Sequence, residues 1–176
     1  LASVRPYRDY IAWLQSQDLS KAESYWRSLL EGVTAPTTLP AGFPNSDECS
    51  TDDVEESITL TREASAKLYA VAQKHHVTVG TIAQGMWAWL LHRYCGGTDV
   101  VFGVTVSGRS APLPGIERMV GLLINTLPVR VHIAPDESIV TWLQGIQEQL
   151  SQSQEHGYVP LTAIHGWSAV PRQSSL

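Results

Sequence analysis

The chain has 176 residues, of which 43% are hydrophobic and 16% charged, and its 17 acids against 12 bases leave a net charge of −5. Such a composition supplies enough apolar mass for one or two compact domains and argues against disorder. It holds no cluster of Lys and Arg of the kind a nucleic-acid surface needs, and no apolar run of the ~18 residues that a membrane helix needs.

The first expected element is a helix over 6–17 with Tyr10, Ile11, Trp13 and Leu14 on its apolar face. A second spans 21–30, capped by Asp18 or Ser20, with Tyr25, Trp26, Leu29 and Leu30 inward and Gly32 as its stop. Residues 33–53 carry the Pro, Gly, Ser and Asp of a long connecting loop. A loop of this length is uncommon inside a compact domain and is either functional or wrapped on another part of a larger protein. The alternation over 57–61 reads as a half-buried strand, followed by a helix from Thr61 to Lys74 with Leu68, Val71 and Ala72 inward. Thr78 caps a helix over 79–94 that is apolar nearly all round, which predicts burial between layers, and Gly96 and Gly97 end it.

Residues 99–106 are β-branched and apolar, a buried strand. A loop follows over 107–115, then a short helix or turn over 116–122. The strongest strand signal covers 123–133, with Pro128 placing it at an edge or a bulge. A last long helix begins near Pro135 and Asp136, carries Ile139, Trp142, Leu143, Ile146 and Leu150 on one face, and stops at Gly157 or Pro160. This order of elements implies an α+β fold, a mixed α/β sandwich.

The two cysteines, Cys49 and Cys95, lie far apart and lack partners at metal-ligand spacing, so a reduced, cytoplasmic protein is expected. No basic segment followed by an apolar one opens the chain, so no signal peptide is expected. The opening on Leu1 and the irregular last residues read as a piece of something longer. The adjacent pair His75 and His76 invites a catalytic reading. Helix-end capping, where the dipole favours imidazolium, explains it better. His92, His132, His156 and His165 have no second ligand at metal spacing, and no nucleophile elbow or dinucleotide fingerprint is present. Arg109, after the strand and a glycine turn, is harder to dismiss. It is either a solvated loop arginine or a partner for a carboxylate. Asp99 and Glu117 are poorly spaced for that, which leaves a carboxylate outside the chain.

The runs FGVTVSGR (102–109) and LPGIERMVGLLINTLPVR (113–130) closely resemble the condensation domains of nonribosomal peptide synthetases. YRDYIAW (7–13) and YWRSLLEG (25–32) look like the linker helices of that family, VTVGTIAQGMWAWLL (77–91) like its central helix, and HGYVPL (156–161) like its late motif. The resemblance implies a chloramphenicol-acetyltransferase-like lobe: a partial condensation domain over 1–176, mostly the C-terminal lobe. Within it, 1–32 would be linker helices, 33–56 a loop, and 57–176 the lobe core, truncated at its C-terminus. The implied reaction is peptide-bond formation between acyl or aminoacyl thioesters held by carrier proteins. Phosphopantetheine would be carried by those partners and no cofactor bound directly.

The family's H-H-x-x-x-D-G signature is not met at His75 and His76, because Gly80 and Thr81 stand where its Asp and Gly would be. The resemblance therefore implies no catalytic residue within this chain, a signature upstream of Leu1, and no condensation by the chain alone. It implies support or tunnel-lining roles for Arg109, Ser107 and Asn125, with Arg109 bracing the signature Asp. The implied partners are upstream and downstream peptidyl carrier domains, the adenylation domain of the same synthetase and the N-terminal lobe. Neither nucleic acid nor a membrane is among them. A non-catalytic, epimerisation or cyclisation relative that binds carrier proteins is the alternative.

Overall fold

The computed structural model describes residues 4–40 and 56–174. Its elements are α1 (Tyr7–Gln15), α2 (Leu19–Leu29), α3 (Arg62–Lys74), α4 (Val79–Cys95), β1 (Asp99–Val106), a 3-10 turn at Ile116–Arg118, β2 (Asn125–His132), α5 (Ile139–Glu155) and α6 (Leu161–Trp167). β1 and β2 form a two-stranded sheet. Ile133 N–H donates to Thr98 O at 2.7 Å and Gly103 lies against Thr126, so the strands run antiparallel. The α+β class is as the element order implies. The chain divides into two compact units, one of Leu1–Pro36, Val101–Arg130 and Glu148–Leu176, the other of Thr37–Val100 and Val131–Gln147.

The first unit has two cores. Ala22, Trp26 and Leu30 of α2 pack with Val101, Leu127, Val159 and Ile164. The fully buried Trp26 ring satisfies its N–H on His156 O at 3.2 Å. Arg130 reaches the C-terminal end of α2 and donates to Leu29 O and Glu31 O at 3.0 and 2.7 Å, carbonyls that a helix end leaves open. Gln149 bonds both backbone groups of Arg130, donating to its carbonyl and accepting from its N–H, as a neighbouring strand would. The second core joins Tyr10 of α1 to Ile116, Met119 and Leu123. There Tyr7 Oη donates to Leu122 O at 2.6 Å, and the Tyr7 ring occupies the space a Cβ on Gly121 would need.

In the second unit α3 packs on α4. Thr61 caps α3 through Ala64 N–H, and Thr78 caps α4 through Thr81 N–H. Gln147 accepts from Thr78 N–H at 3.0 Å and from the Thr81 hydroxyl, fastening α5 to the start of α4. Gly85 lets the two helices approach. A Cβ there would stand 2.7 Å from Leu143 Cδ2 and 3.1 Å from the Trp142 ring.

Several expectations are corrected. Residues 57–61 form no strand, because no described strand pairs with them, and Ile58 is 93% exposed. Val71 and Ile139 are exposed rather than inward. α4 is buried on one face only, through Thr81, Gly85, Ala88 and Leu91, while Met86, Trp87, Trp89 and Tyr94 are exposed. β2 begins at Asn125 rather than at 123. α5 begins at Ile139 rather than near Pro135, because the Ser138 hydroxyl accepts from Thr141 N–H and sets the start. α6 is an addition to the expected elements: it has only seven residues, too few for an apolar period to register. Cys49 and most of the long loop lie outside the described residues, and Cys95 is a free thiol.

Candidate functional site

The three positions carried over from the family pattern lie in the first unit. At the end of β1 the chain turns through Gly108, whose φ of +64° belongs to the left-handed region. Leu123 O sits where a Cβ on this residue would stand, so both conformation and space require glycine. The turn throws Arg109 over the 3-10 turn. Its Nη1 donates to Ile116 O at 2.6 Å and to Met119 O at 3.2 Å, and its N–H is 3.4 Å from Ser107 Oγ. The arginine is thus tied to carbonyls, not to the carboxylates of Asp99 or Glu117. The rest of its guanidinium has no partner among the described residues, and both Ser107 and Arg109 are exposed.

Asn125 is placed differently. Its side-chain amide donates to Gly157 O at 2.9 Å and to Val159 O at 2.8 Å, while its Oδ1 accepts from Thr126 N–H. Both amide hydrogens are therefore engaged in holding the turn after α5 to the start of β2. His75 is the C-cap of α3, and its carbonyl accepts from Gln144; His76 follows with φ +55°. This is the helix-end geometry, and it lies in the second unit.

Beside the Gly108 turn is a pocket of about 300 Å³, walled by Tyr10, Trp13 and Tyr158 and reaching Ser110, Gly157 and Glu155. Sequence reasoning does not bring these side chains together, because they come from α1, the loop after β1 and the end of α5. Their signal in the sequence is that Tyr10 and Trp13, Gly108, and Gly157 and Tyr158 each fall in a stretch that resembles the family, 7–13, 102–109 and 156–161. Burial, and then Tyr7, push the Tyr10 phenol above its ordinary pKa. Burial also raises Tyr25, with the charge of Glu155 adding and a Ser153 hydrogen bond opposing. Among the described residues no group of three His, Cys, Asp or Glu is placed to hold a metal ion.

The family model for the condensation domain matches residues 1–176. A linear gramicidin synthase protein of Brevibacillus parabrevis is 48% identical over 178 residues, covering 100% of this chain and 4% of that protein. A chondramide synthase of Chondromyces crocatus is 43% identical over 176 residues, covering 99% of this chain and 4% of that protein. The chain thus spans a small part of the curated relatives it matches. The first condensation domain of the CDA synthetase superposes with a TM-score of 0.72 at 21% identity, over 91% of this chain and 35% of that one. At that identity the superposition speaks for the fold alone, the chloramphenicol-acetyltransferase-like fold of such domains. Together with the full-length family match, it shows that the chain belongs to the condensation-domain family of nonribosomal peptide synthetases.

Proposed function

We propose that the chain works as most of the C-terminal lobe of a condensation domain that joins two carrier-bound acyl or aminoacyl thioesters through an amide bond. The observation that carries this reading is the family match over all 176 residues. The reaction needs an amine held against a thioester carbonyl, a group to move a proton and stabilisation of the developing charge. In this reading the phosphopantetheine thioesters are substrates delivered by carrier domains, beside an adenylation domain, in the cytoplasm. The histidine motif belongs to another part of the same protein, since the chain has no H-H-x-x-x-D-G.

Arg109 is then a positioning residue. One guanidinium nitrogen grips Ile116 O and Met119 O, and the exposed remainder suits the carboxylate of a signature Asp. Ser107 and the Asn125-held turn shape the wall near it. The test uses the whole protein that carries this chain, with donor and acceptor loaded on carrier proteins. Amide product is expected from the whole protein and none from the 176-residue chain alone. Arg109→Ala should lower the rate about tenfold to a hundredfold with unchanged circular dichroism. Arg109→Lys should recover part of it and shift its pH profile, because charge returns without the fork. Product from the chain alone, or full turnover in Arg109→Ala, overturns the assignment.

A further inference from the structure

The pocket beside the Gly108 turn has a composition that selects ligands by charge. Its walls are three aromatic rings set at two angles. Tyr10 and Trp13 lie 5.9 Å apart at 20°, and Trp13 meets Tyr158 at 6.1 Å and 79°. Tyr10 is buried between Tyr7, at 5.7 Å, and Trp13, so the half-buried Trp13 and Tyr158 rings form the accessible corner. The walls are held in place. Tyr10 is buried, and the Tyr158 hydroxyl donates to Asp18 O at 2.9 Å. The Trp13 carbonyl is fixed by Gln17 at 2.9 Å.

Glu155 supplies the one charged side chain among the lining residues, and no Lys or Arg lines the space. Glu155 forms no ion pair among the described residues. The Tyr10 hydroxyl and the Trp13 indole N–H have no hydrogen-bond partner among the described residues. At about 300 Å³ the space is at the lower end of ligand pockets and admits a small molecule.

Aromatic faces carry negative electrostatic potential, and a carboxylate at the rim adds to it. An anion would meet the rings and Glu155 with no cation among the lining residues to offset them. A neutral apolar group would gain nothing from Glu155. We propose that this pocket binds an organic ammonium group, seated against Trp13 and Tyr158, with Tyr10 behind Trp13 and Glu155 as its counter-charge. The pocket adjoins the turn that carries Arg109, which is not itself among the lining residues, and the proposal does not depend on the condensation reading.

The test is saturation-transfer NMR and tryptophan-fluorescence titration on the whole protein that carries these residues. The probes are choline, its uncharged isostere 3,3-dimethylbutan-1-ol, and N-acetyl-lysine methylamide, the last standing for a protein-borne ammonium. Choline or the lysine derivative should bind and the alcohol should not. Preference between the two cations identifies a free small molecule or a protein side chain as the source. Glu155→Gln, an exposed site, should leave the melting temperature unchanged and weaken binding about fivefold. Glu148→Gln, two turns earlier on α5 and outside the pocket, should change nothing. Equal binding of the alcohol, no binding of either cation, an unaffected Glu155→Gln variant, or equal weakening by Glu148→Gln would each overturn the proposal.

Discussion

At the scale of single residues, Arg109 and Asn125 show how a motif position is held by backbone, each side chain donating to two carbonyls. Asn125 donates two hydrogen bonds to half-buried carbonyls at the turn after α5. Asn125→Ala should destabilise the protein by about 1–3 kcal/mol, because Gly157 O and Val159 O lose their donors. Asn125→Asp should be at least as harmful, since a carboxylate offers no donor and sets negative charge against two carbonyls. Chemical denaturation of both variants measures this, and a wild-type midpoint in Asn125→Asp would remove the assigned contacts. A purely substrate-positioning Asn125 would instead change rate and leave the midpoint alone. Asp18 gives a pH dependence with a defined sign. Hydrogen bonds from the Ser20 hydroxyl and then the Ser20 N–H hold its carboxyl below the usual range. A lowered pKa contributes stability above the ordinary carboxylate value, and that contribution is lost as pH falls through the folded value. The Ser20 amide resonance should therefore titrate with a midpoint below 3.8. Asp18→Asn should abolish that titration.

At the scale of elements, the docking of α1 depends on one glycine. Gly121→Ala would drive a methyl group into the Tyr7 ring, an obstacle that cannot fold away as a flexible chain end can. The expected loss is about 1–3 kcal/mol, with the Tyr7 bond to Leu122 O broken. In a Tyr7→Ala background the same change should be nearly neutral, and a thermal-melt double-mutant cycle reads the coupling. Equal costs in both backgrounds would mean that Tyr7 and Gly121 do not meet. The helices α1 to α5 are legible in the sequence because each carries a broad apolar face or a Thr or Asp cap. The short α6 is not, and 57–61 misleads because alternation marks a strand only where another strand pairs with it. The site is legible only in part for a related reason. Arg109 stands out through its glycine turn, but its partners are the carbonyls of Ile116 and Met119, which every residue type offers. The same holds for Gln147 and Gln149, whose side chains cap a helix and complete a strand without any mark in the sequence.

At the scale of the whole molecule, the apolar character of α4 raises a question of partners. Met86 is 63%, Trp89 53% and Tyr94 52% exposed, on a helix whose opposite face is packed. Met86 and Trp89 border, with Trp142 and Ile133, an apolar hollow of about 780 Å³ within the second unit. Soluble monomers rarely leave contiguous apolar surface of this kind to water. The chain covers 35% of the condensation-domain chain it superposes on, so such a domain contains far more structure than these residues. A two-stranded sheet is also marginal unless further strands or helices cover it. The expected outcome is that the 176-residue chain alone binds a hydrophobic dye and sediments as an associated species. Met86→Lys together with Trp89→Lys should reduce both signals without lowering its melting temperature, since these side chains face water there. In the whole protein the same pair should destabilise the fold by several kcal/mol, because two charges would enter a covered apolar face. The opposite sign of the two effects separates a face covered by the rest of the domain from a merely sticky surface. A chain that is monomeric and dye-silent, or a whole protein indifferent to the two lysines, would show that the α4 face is solvated in its native setting.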